Sequence, residues 1–254
     1  MQKTSVSLFL SLFTLLLSSC NATKTLTAAW ATDLKTQQIV VVITPNETAT
    51  QGVMRLYEWR ADKWAAVSSF TKVKVGRAGI AWGAGLHNKS LNAGVLKKEG
   101  DGKAPQGVFR LTQVFGYKTQ PDPKWKMPYL AATTTTLCID DTKSAFYNKI
   151  LDKSAAGEVT SYENMRRKDD FYEYGIVVDY NQTTTEAGAG SCIFMHVQDE
   201  TRPTSGCTAM PKGDIVALIE HLDIQKKPVL LQCTRDNYAK LAKMYGLPNE
   251  WSVQ

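Results

Sequence analysis

Histidine is scarce in this chain. Three occur in 254 residues: His87, His196 and His221. His87 and His221 have no neighbours at metal-ligand spacing, so both read as structural or surface residues, and neither a metal nor a cofactor is called for. Long apolar runs are missing after residue 17, which excludes a later membrane span, since one needs about 20 such residues. Concentrated charge is missing too. The formal net charge is +6, but the cations are scattered apart from pairs such as Lys97-Lys98 and Arg166-Arg167. With no basic stripe and no nucleic-acid motif, no nucleic-acid partner is expected, and the mild positive excess suits an anionic envelope. There is no internal repeat and no low-complexity linker. The 234 residues beyond Cys20 suit one sizeable domain.

The one long apolar run lies at the start. Lys3 precedes Val6 to Leu17, and the run closes in Leu17-Ser18-Ser19-Cys20. A short positive segment, an apolar stretch too short to span, and small residues before a cysteine describe an export signal. The last four residues resemble the lipobox of bacterial lipoproteins, which implies cleavage before Cys20 and a lipid on its thiol. Asn21 follows where an aspartate commonly retains lipoproteins in the inner membrane, so an outer-membrane location on the periplasmic face is favoured. The expected division is 1–19 signal peptide, 20–36 lipid-anchored tether and 37–254 catalytic domain. Five cysteines enter an oxidising compartment: Cys20, Cys138, Cys192, Cys207 and Cys233. If Cys20 is lipidated and Cys207 is a free nucleophile, Cys138, Cys192 and Cys233 allow one disulfide and one leftover thiol, with the partners open.

Local patterns predict a mainly β domain with helical decoration. Strands are expected at 38–44, 53–59 and 64–75, with a turn at Arg60-Ala61-Asp62-Lys63. Gly76, Gly79, Gly83 and Gly85 mark a loop, and residues 97–107 mark a second. Val108 to Leu111, Ile176 to Tyr180 and Cys192 to Gln198 read as further strands, and Thr133-Thr134-Thr135-Thr136 as part of another. A helical turn or two is expected within Ser144 to Leu151. Ile215, Leu218, Ile219 and Leu222 share one helical face. Thr234 can cap a last helix, Arg235 to Tyr245, which Gly246-Leu247-Pro248 stops.

The chemistry concentrates in Ser191 to Val197 and Pro203 to Met210. Alternation on a strand puts Ile193, Met195 and Val197 on a core face, with Cys192, Phe194 and His196 on the other. Cys207 sits in a glycine-containing turn before the 215–222 helix. A helix N-terminus there would depress the thiol pKa, and the turn's amides would be free to hold an oxyanion. A paired cysteine and histidine is what acyl transfer needs.

The same stretch resembles the YkuD-type L,D-transpeptidase catalytic domain, whose signature is a histidine, a loop, then Ser/Thr-x-Gly-Cys. His196, Thr204, Ser205, Gly206 and Cys207 occupy those positions. Lys103 to Phe109 is similar to the family's upstream Thr-Pro-x-Gly-x-Phe segment, with Ala104 in place of threonine. The blocks at 138–141, 162–165 and 178–181 look like a subgroup of that family. The resemblance covers roughly residues 37 to 235 and implies a β-sandwich catalytic domain that needs no cofactor or metal. It implies a peptidoglycan L,D-transpeptidase acting on stem peptides through a Cys207 thioester, a monomer held to the membrane by its lipid. Water as acceptor would make the same site an L,D-carboxypeptidase or cross-link hydrolase. A non-catalytic envelope-binding lipoprotein would instead hold Cys207 in a disulfide. The family often has histidine before Gly-Cys and arginine or asparagine two residues after the cysteine. Here those positions hold Ser205 and Ala209, leaving Arg202 or Arg110 as candidates to take a carboxylate. The expected orienter of His196 is a backbone carbonyl near Thr204–Ser205 or the side chain of Asp199.

Overall fold

The apolar run at 38–44 becomes a strand buried at every position, because both its edges are paired and both its faces are covered. In the computed structural model, which describes residues 35–249 apart from 89, 91 and 93, this strand (β1, Gln38–Thr44) lies at the centre of the architecture. The export signal and Cys20 lie outside the described residues.

Among the described residues thirteen further strands follow in chain order. They are β2 (Gln51–Arg60), β3 (Lys63–Ala66), β4 (Thr71–Lys74), β5 (Ile80–Trp82), β6 (Ala104–Gly116) and β7 (Tyr129–Ala131). Then come β8 (Thr136–Ile139), β9 (Ile150–Asp152), β10 (Tyr162–Asn164), β11 (Tyr174–Asp179), β12 (Phe194–Val197), β13 (Thr208–Met210) and β14 (Val229–Thr234). The main sheet runs β1-β14-β6-β11-β12-β13-β4-β2, and β2 pairs back onto β1, so the sheet closes on itself and removes most of its open edge. The order β10-β8-β9 makes a separate three-stranded sheet. The chain is therefore mainly β with a few helices, as its patterning implies. Among the described residues no helix is long and apolar enough to cross a membrane.

Period-two alternation divides the apolar residues between two sides of the closed sheet. Val40, Val42, Leu56, Leu111, Ile176 and Met195 point to the interior, where helix α2 (Lys212–His221) adds Ile215, Leu218 and Ile219. Ile39, Val41, Ile43 and Leu231 point outward, where they are covered by Tyr238, Leu241 and Tyr245 of α3 (Arg235–Tyr245). Helix α3 begins where Thr234 Oγ1 accepts the Asn237 N–H at 3.2 Å. It ends at Gly246 with φ 65°, a left-handed stop that glycine adopts without a Cβ penalty. Ala61 and Asp62 both have positive φ, which suits the tight β2–β3 turn.

Five local expectations need correction. The 64–75 run is two strands, because Ser68 Oγ takes the Leu56 N–H at 2.9 Å and the chain leaves the ladder there. The glycine loop at 76–85 holds β5, whose three residues are buried against the start of β6, so the 97–107 loop also ends early, at Ala104. Ser144 to Leu151 is turns leading into β9, and the nearby helix is the single turn α1 (Lys153–Ala156), capped by Asp152. Thr133 to Thr135 form a turn in which Thr133 and Thr136 hydroxyls meet at 3.0 Å, and only Thr136 enters a strand.

Candidate active site

The site forms where β12 runs parallel to β13, with His196 opposite Ala209. Cys207 is the residue before β13, so this register brings histidine and cysteine to one end of the strand pair. Ile193, Met195 and Val197 do face the interior core. The opposite face is buried as well. Cys192, Phe194 and Cys207 pack with Phe115, Met165 and Tyr172 under the segment that carries the small sheet. Cys207 is 7% exposed and His196 8%. Both line a cleft of about 680 Å³ together with Thr204, Ser205 and Gly206. All five residues singled out from sequence thus meet at one cavity.

The turn before Cys207 is built by Thr204. Its hydroxyl donates to Cys207 O at 2.6 Å and accepts the Gly206 N–H at 3.1 Å. Thr204 N–H donates to Val75 O, and Thr204 O accepts from Arg77 N–H, which stitches the turn to the end of β4. The Gly206 amide is therefore engaged and not free to meet an oxyanion.

The thiol sits between backbone groups of β12. Phe194 N–H donates to Sγ at 3.3 Å, and Sγ–H lies 3.5 Å from Cys192 O. Burial pushes the Cys207 thiol up to about 12, with the Glu163 carboxylate adding to the rise and Lys97 opposing it. His196 is lowered to about 4, chiefly by burial. At neutral pH the pair therefore rests as thiol and neutral imidazole. The expectation of a helix-lowered thiol is overturned: β13 and Pro211 separate Cys207 from α2, so no helix N-terminus reaches it.

His196 Nδ1 lies 2.7 Å from Val197 O. A carbonyl only accepts, so Nδ1 carries the proton and Nε2 keeps its lone pair for a base's work. Val197 O thus replaces the expected orienters, and Asp199 is engaged instead with Thr201 and Arg202. Tyr172 packs edge-on against the imidazole at 5.2 Å and donates its hydroxyl to Glu163 Oε2 at 2.6 Å. Of the two arginine candidates, Arg202 lines the cleft while Arg110 sits on β6 and bonds Lys227 O.

Sequence reasoning did not single out Lys97, Glu99, Glu163, Arg167 or Tyr172, all of which line the cleft. The signal was present in the blocks at 138–141 and 162–165 and in the pairs Lys97-Lys98 and Arg166-Arg167, which stand far from the cysteine in sequence.

Cys138 is bonded to Cys192, and Cys207 and Cys233 are free. The bond joins the small sheet to the residue whose carbonyl faces the Cys207 thiol. It closes a loop with a sequence separation of 54, so its loss should cost about 4 kcal/mol on chain-entropy grounds. Denaturant unfolding of the Cys138→Ala/Cys192→Ala double variant, with and without reductant, should show that loss. Equal stability of variant and oxidised parent would rule out a structural role.

The family model for the L,D-transpeptidase catalytic domain, YkuD, matches residues 33–231. No curated protein matches the chain. Among solved structures, the chain is similar to the helical cell shape determining protein Pgp2 from Campylobacter jejuni, at 15% identity and a TM-score of 0.34. That alignment covers 81% of this chain and 54% of the other, so this chain spans about half the length of that protein, and a similarity so low carries no argument.

Proposed function

This chain belongs to the YkuD L,D-transpeptidase catalytic domain family, and from that premise we propose that it is a peptidoglycan L,D-transpeptidase whose nucleophile is Cys207 and whose base is His196. One observation carries the reading: a free thiol and an imidazole with an unprotonated Nε2 share the floor of one cleft. In the first half-reaction Nε2 takes the Sγ proton as sulfur attacks the carbonyl carbon of a stem-peptide bond. The Cys207 N–H stabilises the oxyanion. The carbon–nitrogen bond then breaks, the leaving amine takes the proton from the imidazolium, and a thioester remains. An amine from a second stem attacks the thioester, Nε2 accepts its proton, and Sγ leaves and is reprotonated. Both charge-separated stages are unfavourable at a dry site until substrate dipoles and amides surround them, which accords with a pair that rests neutral.

The catalytic domain in this reading spans 37–254, preceded by a signal peptide (1–19) and a tether (20–36) lipidated at Cys20, and the enzyme works as a monomer on the periplasmic face of the envelope, favouring the outer membrane.

The protein incubated with tetrapeptide muropeptides should yield cross-linked dimers with loss of the terminal residue, read by mass. Tripeptide products alone would assign carboxypeptidase action, and unchanged substrate would sink the enzymatic reading. A carbapenem should add to the peptide containing Cys207 and spare Cys233, which is fully buried. Intact mass of the membrane-extracted protein should begin at lipid-modified Cys20, and an unmodified soluble form would refute the anchor.

A further inference from the structure

A thiol raised by burial needs a positive charge before it can ionise, and position 209, two residues past the cysteine, offers only the methyl group of a buried alanine. The cleft holds a buried cation elsewhere. Lys97 is 7% exposed and lines the same cavity as Cys207. Its ammonium lies beside two residues that have no side chain. A Cβ on Gly190 would sit 2.8 Å from Lys97 Cε and 3.4 Å from Nζ, and one on Gly206 would sit 3.6 Å from Nζ. Gly206 is the residue before Cys207, so the charge rests against the backbone that carries the nucleophile.

A lysine ammonium has three N–H donors. Asp101 Oδ1 takes one at 3.0 Å, and Lys98 O lies at 3.5 Å. Among the described residues that leaves donor capacity facing the cleft. A cation buried to this degree is costly unless it is paired, and Asp101 is its partner. The acid that holds it is itself committed: Asp101 also accepts the Lys98 and Lys103 N–H groups, so the ion pair fixes the position of Lys97.

Resting on the reading of Cys207 as nucleophile, we infer that Lys97 is a positioning residue that supplies the positive charge against which the Cys207 thiol ionises, entering the site from the 97–103 loop. The other charged or titratable groups lining the same cavity are Glu99, Glu163, Asp140, Asp199, Tyr172, His196, Arg77, Arg167 and Arg202. Glu163 opposes ionisation of the thiol and Lys97 favours it. Proton transfer is unchanged in this picture: Sγ gives its proton to His196 Nε2, and the charge left on sulfur is stabilised across the cleft by Lys97.

The test is the pH dependence of iodoacetamide labelling at the Cys207 peptide in the full chain, read by mass. This needs no turnover, so it separates the charge inference from the transpeptidase reading. Lys97→Met should slow labelling at neutral pH about tenfold, the effect of moving a thiol pKa by one unit, and shift the profile to higher pH. Lys97→Arg should restore the parent profile. An unchanged profile in Lys97→Met, or a profile that Lys97→Arg fails to restore, overturns the inference. If labelling responds as stated while muropeptides remain untouched, the functional reading fails and the charge inference stands.

Discussion

Cys207→Ala should abolish transfer from muropeptides, with product below detection where the parent converts its substrate. The variant removes the sulfur proposed to form the thioester. It should also lower stability, contrary to what a cysteine in an exposed turn would suggest. Cys207 is buried, and its Sγ accepts the Phe194 N–H. Without it that amide has no partner in a packed cluster, at a cost of about 1–3 kcal/mol. Cys207→Ser separates the two effects. A hydroxyl can accept the same N–H and so recover stability, while its far higher pKa keeps turnover near that of the alanine variant. Thermal unfolding and muropeptide assays on both proteins give the answer. Retained turnover in Cys207→Ala would remove Cys207 from the chemistry altogether.

His196→Ala should reduce kcat/KM by roughly 10²–10⁴, the usual contribution of a positioned acid–base group. The double variant with Cys207→Ala should be no slower than Cys207→Ala alone, because the two residues act as one unit. The acid limb of the parent's pH profile should lie near pH 4, where burial places His196, and not near its ordinary 6.5. Stability carries the same signature. Between pH 6.5 and about 4 the unfolded chain's imidazole binds a proton that the folded one refuses, so stability falls as pH drops through that window. His196→Ala should flatten that slope in denaturant titrations. Normal turnover with an unchanged profile would make His196 a bystander.

Much of the site was legible because its parts lie close in sequence. Residues 192–197 and 204–207 carry the histidine, the cysteine and the turn that Thr204 organises, and strand alternation alone assigned His196 and Phe194 to one face and Met195 to the other. Helix α3, its threonine cap and its glycine stop were readable for the same reason: capping is decided by neighbours in the chain. The strand at 38–44 was visible from its β-branched run. The segments that misled were those where a side chain competes with the ladder. Ser68 breaks the 64–75 run, and the hydroxyls of Thr133 and Thr136 favour a turn over a strand.

Residue types and spacing by themselves determined a mainly β chain with a cysteine–histidine pair at one strand end, and three candidate cysteines for one disulfide. Only the tertiary structure decided that Cys138 pairs with Cys192, that His196 is oriented by Val197 O, and that Arg202, not Arg110, reaches the cleft. It alone decided the protonation state of the pair. Local sequence suggested a lowered thiol pKa from a nearby helix, but the pKa of a buried group depends on everything packed around it. The cover containing Tyr172 and Glu163 and the ammonium of Lys97 come from segments that stand 35 to 110 residues from Cys207 in the chain.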